Sequence, residues 1–255
     1  MAPQPETVRV CLEVLRAGGN AFDAAVAGAL AQGVTDPHRA GIGGFGVAVL
    51  WEAAARRGVC VGFHAVAGSR ARPDLWADRF EAVSPDGFGY LVRGQVNDVG
   101  ASAVGVPGTV RGLAALHAGR GRLAWARLLE GPADLAERGI EVTEEMAAYW
   151  RRPGLAGRVS TRDRLARTAA GRRHALRPDG EPRGGEPYDR GETLRLPALA
   201  AAYRRLAAAG PAAFYEGEIA RTLLEELGSG ALFDARDLAA YRPRVEPALA
   251  EAWEG

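Results

Sequence analysis

The sequence predicts an α+β chain, with helices arranged before and after a β-hairpin. Three observations carry this. Two short apolar runs, residues 47–51 and 59–63, flank a polar stretch that ends in Gly58, the pattern of paired strands. Apolar residues recur at helical spacing before the hairpin (Val8, Cys11, Leu12, Leu15) and long after it (Leu199, Tyr203, Leu206; Ile219, Leu223, Leu224). The composition, 47% hydrophobic and 25% charged over 255 residues, suits one large globular domain, residues 1–255. No apolar run reaches the roughly 18 residues of a membrane span.

In chain order, residues 6–16 form the first helix, closed by Gly18-Gly19 as a C-cap. Asn20 caps the next, with Asp23 as its reciprocal partner. This second helix, 21–33, is almost wholly Ala and Val, so it is expected to lie buried, close against another layer. Asp36-Pro37 ends it. Gly41-Ile42-Gly43-Gly44-Phe45-Gly46 then matches GxGxxG, but the dinucleotide fingerprint needs a strand before it and a helix after it. Here the order is reversed, so the glycines read as a place where backbone passes close to its neighbours.

Beyond the hairpin, residues 70–94 are loop-rich, with Trp76 and Phe80 as expected anchors. Residues 103–107 read as a short strand, and Val106-Pro107-Gly108-Thr109 as a turn into a helix reaching about residue 118. Residues 121–138 read as helix–turn–helix, with Trp125, Leu128, Leu129 and Leu135 as the apolar stripe. Helices follow at 197–209, 212–227 and 234–241, and 246–253 is a strand or an extended exit. Residues 151–195 break the pattern: arginine outnumbers the acids and large apolar residues are scarce. With no aromatic platform for bases, this stretch reads as a solvated, partly helical arm or insertion, and a basic nucleic-acid-binding arm is the rival.

Net charge is +1, so no global field favours nucleic acid or anionic membrane. Every basic residue is arginine, which excludes a Schiff-base or P-loop lysine. Cys11 and Cys60 form no CxxC pair and read as two buried thiols. The start lacks a basic segment followed by an apolar core, so no signal peptide is expected and the chain defaults to the cytoplasm. A start lying upstream would reopen a periplasmic or secreted location. His38, His64, His117 and His174 are scattered, with no metal-ligand spacing. Asp36 and His38 are close enough to touch but read as a loop acid beside a solvated His. Glu144-Glu145 and Glu225-Glu226 read as solvated helix faces. The residues alone offer no nucleophile, metal site, phosphate loop or cofactor.

The blocks do, in their order, resemble one family. Leu15-Arg16-Ala17-Gly18-Gly19-Asn20-Ala21-Phe22-Asp23-Ala24-Ala25-Val26 opens the likeness, and Gly41 to Gly46 continues it. Val106-Pro107-Gly108-Thr109-Val110-Arg111-Gly112-Leu113 and Gly121-Arg122-Leu123-Ala124-Trp125 follow. Phe214-Tyr215-Glu216-Gly217-Glu218-Ile219-Ala220 and Asp237-Leu238-Ala239-Ala240-Tyr241-Arg242 complete it. The chain resembles the N-terminal part of the large subunit of gamma-glutamyltranspeptidases, with only the arginine-rich arm poorly covered. The resemblance implies a four-layer αββα N-terminal-nucleophile hydrolase fold, incomplete in this chain. It also implies a precursor that cuts itself, freeing a threonine that attacks a gamma-glutamyl amide with its own amine as base. No threonine here stands in that motif. The chain is therefore expected to be silent by itself, a truncated product or fragment that partners the small-subunit segment of the same precursor.

The resemblance also implies an arginine shortly after the second strand that grips the substrate α-carboxylate with two parallel hydrogen bonds. Here the stretch is Gly62-Phe63-His64-Ala65-Val66-Ala67-Gly68-Ser69-Arg70, and the arginine position falls on His64 or Val66. An imidazole cannot make the planar two-point contact. His64 and Arg70 are thus the candidate substrate-binding residues, with Arg72 as a further substitute. Three functions stay open: a gamma-glutamyltransferase-like hydrolase of glutathione-like amides, an amidase on a non-glutamyl substrate, and a non-catalytic scaffold retaining half the fold.

Overall fold

Helix α2 (Ala21–Thr35) sits at the centre of the helical layer because its side chains are small enough for three helices to close on it. The computed structural model that shows this describes residues 2–177 and 186–251, apart from the side chains of Ala170 and His174. Part of the arginine-rich stretch, the His174 side chain and the chain exit at Trp253 lie outside the described residues. Helix α1 (Pro5–Arg16) packs on one side, where Thr7 and Thr35 hydroxyls meet at 2.8 Å. A Cβ on Gly28 would stand 2.7 Å from the Cys11 sulfur, so glycine permits this approach. On another side the Tyr203 hydroxyl donates to the Leu30 carbonyl at 2.8 Å. Burial with no charged partner raises that phenol's pKa.

The cap of α2 is the expected one. The Asn20 side chain accepts the N–H of Phe22 and Asp23, and the Asp23 carboxylate accepts the Asn20 N–H. Asp23 also reaches across the chain, accepting the N–H of Arg122 at 2.9 Å and facing His117 Nε2 at 3.3 Å. The Asn20 amide donates to the Arg120 carbonyl at 2.6 Å. Two separate sequence blocks, 18–26 and 121–125, are thereby bonded to each other.

Strands β1 (Gly46–Glu52) and β2 (Arg57–Phe63) form the expected hairpin, with Val49 opposite Cys60. A small hairpin, β3 (Phe80–Val83) and β4 (Tyr90–Val92), leads on to helices α3 (Thr109–His117) and α4 (Trp125–Arg138). Strand β5 (Ile140–Glu141), helices α5 (Glu144–Trp150), α6 (Thr161–Arg167) and α7 (Ala169–Ala175), and strand β6 (Thr193–Leu194) come next. Helices α8 (Pro197–Ala209), α9 (Glu218–Leu227) and α10 (Ala235–Ala240) precede β7 (Arg244–Pro247), which returns to pair antiparallel with β2. The main sheet therefore runs β1-β2-β7. Its inner face (Ala48, Leu50, Val59, Val61, Phe63) packs on Ala115 of α3. The alternation of β1 turns Val47, Val49 and Trp51 to the other face, where they are 57%, 73% and 63% exposed.

Several local expectations are corrected by tertiary context. Residues 121–138 hold one helix, not two: Gly131-Pro132 does not break α4, because Pro132 is buried in a face that packs on α2 and α8. Residues 212–227 hold a 3-10 turn and then α9, split at Gly217, where a side chain would collide with Ala213. Residues 103–107 contribute a single bridge, Val66 to Val106, rather than a strand. The thiols are free but only half-buried, Cys11 against the Ala24 carbonyl and Cys60 on the open sheet face. Phe80 is half exposed rather than an anchor.

Candidate functional site

The segment that leaves β2, residues 63–70, is the meeting point of most of the sequence blocks. Phe63 is wedged between glycines: added Cβ atoms on Gly46 and Gly112 would lie 2.8 and 2.1 Å from its ring. Gly108 faces the Phe63 carbonyl, where a Cβ would lie 2.1 Å away. The Gly44 carbonyl accepts the N–H of Gly108 at 2.9 Å and of Thr109 at 3.2 Å, so the glycine loop and the Val106-Pro107-Gly108-Thr109 turn form one knot. Gly44 and Gly46 thus serve close backbone approach, whereas Gly41 and Gly43 have open space around them.

The same segment is bonded from the far end of the chain. The Tyr241 hydroxyl donates to the His64 carbonyl at 2.9 Å. Val66 and Val106 exchange backbone hydrogen bonds of 2.9 and 3.3 Å. Asp237 accepts both the Ser69 N–H at 3.1 Å and its hydroxyl at 2.8 Å. Burial pushes the Asp237 carboxyl up, but the donors from Ser69 and Asp234 outweigh it and hold the group below its ordinary value. Behind these bonds Arg111 lies over the Tyr215 ring at 4.2 Å and donates to the carbonyls of Leu238, Ala239 and Tyr241 at the end of α10. The Tyr215 hydroxyl donates to the Pro107 carbonyl at 3.0 Å, and burial pushes its pKa up to about 12.

His64 itself is exposed, its ring tilted against Phe45 at 5.6 Å between centroids. Arg70 is also exposed, but its N–H and guanidinium are bonded to the carbonyls of Leu232 (3.0 Å) and Ala231 (3.3 Å). Among the described residues no bond or ion pair joins His64 to Arg70. Bonds to Val106, Leu232, Asp237 and Tyr241 tie the backbone of residues 64–70, while the His64 imidazole stays exposed beside Phe45.

One pair escaped the sequence reading. His38 is not solvated: its Nε2 lies 2.9 Å from Asp36 Oδ1, both side chains about 5% exposed or less, though without the alignment of a good hydrogen bond. Its ring stacks on Tyr149 at 4.2 Å and meets Trp150 edge-on. Burial pulls the imidazole below its ordinary pKa, with Asp36 opposing. The stacking partners come from α5, so no local signal in the sequence marks the site. In the arginine-rich stretch the guanidiniums are largely engaged internally. Arg158 reaches Asp86 and the Phe88 carbonyl, Arg164 reaches Asp98 at 2.8 Å, and Arg151 reaches Asp189 at 2.5 Å. Among the described residues no group of three or more His, Cys, Asp or Glu is placed to hold a metal ion. No described helix is long and apolar enough to cross a membrane.

An antiparallel sheet with helices on one face and an apolar strand face open on the other is one half of a layered α+β architecture. The complete fold is that of the N-terminal-nucleophile hydrolases. A gamma-glutamyltranspeptidase from Pseudomonas nitroreducens, solved in complex with L-DON, superposes over 100% of this chain and 68% of its own. Its TM-score is 0.80 and its identity 29%. The family model described as gamma-glutamyltranspeptidase matches residues 7–255, and the chain belongs to that family. It is 30% identical to the glutathione hydrolase proenzyme of Pseudomonas aeruginosa, over 100% of this chain and 41% of that protein. It is 32% identical to the acylase ACY 1 proenzyme of Pseudomonas sp. (strain V22), over 95% of this chain and 40% of that protein. The chain thus spans about two fifths of the length of these relatives.

Proposed function

We propose that this chain is the large-subunit portion of an amidohydrolase that cleaves a gamma-glutamyl or related amide, with the nucleophilic threonine supplied by the small-subunit segment of the same precursor. The observation that carries this is the open outer face of β1. Val47, Val49 and Trp51 form an exposed apolar row on a sheet whose opposite face buries Val59, Val61 and Phe63 against α3, the surface a second sheet would cover. The relatives' description as proenzymes supports a precursor origin. Four of the threonines have structural work: Thr143 and Thr168 cap helices, and Thr7 and Thr35 bond each other.

For the substrate, His64 favours a second reading, an amidase on a substrate lacking the glutamyl α-carboxylate. The arginine position falls on His64 or Val66, neither of which can make the two-point grip, and the His64 carbonyl is bonded to Tyr241; the 32% identity to an acylase supports the same direction. Arg70 is the nearest substitute in sequence, with one guanidinium nitrogen already donating to Ala231. The test is turnover by the complete encoded protein of gamma-glutamyl-p-nitroanilide against acyl anilides without the α-carboxylate, in parent and His64→Arg. A restored two-point contact, about 1.5–3 kcal/mol, should raise kcat/KM on the glutamyl substrate by roughly tenfold or more. Efficient glutamyl turnover by the parent with no gain in His64→Arg would refute the second reading. No turnover of any anilide would refute the first.

A further inference from the structure

We infer that the cavity beneath the β3–β4 hairpin is a binding site for a small aromatic carboxylate. Its volume is about 800 Å³, within the roughly 300–1,000 Å³ of small-molecule sites. Leu75, Trp76, Phe80, Tyr90 and Leu232 supply apolar walls. Phe80 and Tyr90 meet edge-on at 5.8 Å, yet they are 52% and 64% exposed, so their faces are presented rather than buried. An isolated two-stranded hairpin is marginal by itself. This one is fastened by polar bonds: Arg158 to Ser84, Asp86 and the Phe88 carbonyl, Asn97 to the Tyr90 carbonyl at 2.9 Å, and Arg93 to the Asp78 carbonyl at 3.0 Å. The aromatic wall is therefore held in place before any ligand arrives, which lowers the ordering cost of binding.

The polar groups point to the rest of the ligand. Asn97 and Ser102 line the cavity, with one Asn97 amide N–H donating to the Tyr90 carbonyl and the Ser102 hydroxyl to the Val96 carbonyl. Arg72 stands at the rim with its side chain 70% exposed, and its partner among the described residues is Asp74 at 3.8 Å, too long for a hydrogen bond. Its fork of donors is free to take a carboxylate. Small residues, Ala67, Gly68, Ala103 and Gly105, also line the cavity and leave room between the aromatic walls, which favour a flat π-faced ligand. The lining begins three residues past His64, so under the amidohydrolase reading the ligand is the acid-bearing aromatic part of the amide. The proposal rests on that reading only for this last point.

The test is a titration of the complete encoded protein with 2-naphthoate, by calorimetry and by tryptophan fluorescence, beside 2-naphthylmethanol and glutamate. The substitutions Arg72→Ala and Ala103→Trp fall at exposed positions, so the fold is retained. Saturable naphthoate binding is expected, weakened about tenfold by Arg72→Ala and abolished by Ala103→Trp, whose indole occupies the cavity Ala103 lines. Trp76→Phe should remove the fluorescence change while calorimetric binding persists. Absence of saturable binding, equal affinity for glutamate, or unchanged affinity in Ala103→Trp would overturn the site. Unchanged affinity in Arg72→Ala would overturn the carboxylate assignment. Binding is read without turnover, so failed anilide hydrolysis with intact naphthoate binding counts against the amidohydrolase reading alone. The reverse result counts against the cavity alone.

Discussion

Replacing Asp23 removes the acceptor on which two sequence blocks converge. Its side chain is fully buried, and one carboxylate oxygen accepts the N–H of Asn20 and Arg122, both at 2.9 Å, with Leu123 N–H at 3.4 Å. Asp23→Ala leaves the part-buried N–H groups of Asn20 and Arg122 without this acceptor, each costing about 1–2 kcal/mol. The Asn20 bond is also the reciprocal half of the α2 capping box and is counted once. The expected loss is about 2–4 kcal/mol, a large share of the roughly 5–15 kcal/mol of a typical domain. At a urea slope of about 3 kcal/mol per M, the unfolding midpoint by circular dichroism should fall by about 1 M. Asp23→Asn keeps the shape and one acceptor, so it should lose less, about 1–2 kcal/mol.

The pH dependence separates the charge from the shape. Burial pushes the Asp23 carboxyl up, but the N–H groups of Asn20, Arg122 and Leu123, with His117 nearby, outweigh it and hold the folded pKa below its ordinary value. A carboxyl depressed in the folded state stabilises above its unfolded pKa, about 3.9, and loses that contribution as pH falls through the folded value. The gap between parent and Asp23→Asn should therefore be full at pH 7 and close below about pH 4. A loss under about 1 kcal/mol for Asp23→Ala, or a gap that does not close in acid, would refute the account.

Two further outcomes follow from the packing. Gly108→Ala drives a Cβ to 2.1 Å from the Phe63 carbonyl and 2.3 Å from the Tyr241 hydroxyl. It should cost about 2–3 kcal/mol and speed amide exchange at Val66, whereas Gly43→Ala, with nothing within 4 Å, should be near neutral. For His38, whose folded imidazole is held low by burial against the pull of Asp36 and Glu145 and with Arg39 beside it, the unfolded chain protonates first. Stability should fall as pH drops below about 6.5, and His38→Phe, which keeps the stack on Tyr149, should flatten the thermal midpoint between pH 7 and pH 5.

Local chemistry made the helices and the hairpin legible. Asn20 and Asp23 announce their cap three residues apart, and the two short apolar runs of β1 and β2 around a Gly-containing turn need no partner to be read. The glycines at 41–46 were legible as a close-approach loop because a helix precedes them and a strand follows. Reading failed where a distant segment overrode a local signal. Pro132 stays inside α4 because its neighbours pack on α2 and α8, and His38 is buried because Tyr149 and Trp150 close over it.

The candidate site divides along the same line. Residue identity alone showed no arginine at His64 or Val66, where one was expected, and the order of the blocks alone pointed to the family. Whether Arg70 stands free, whether residues 64–70 are tied in place, and whether Trp76 and Phe80 fill a core or wall a cavity were decided by α10 and the loop before it, more than 150 residues away. Capping and strand alternation are satisfied within a few residues, so sequence determines them. The direction of an exposed guanidinium, or the space beneath a hairpin, depends on which far segment arrives, and only the folded chain specifies that.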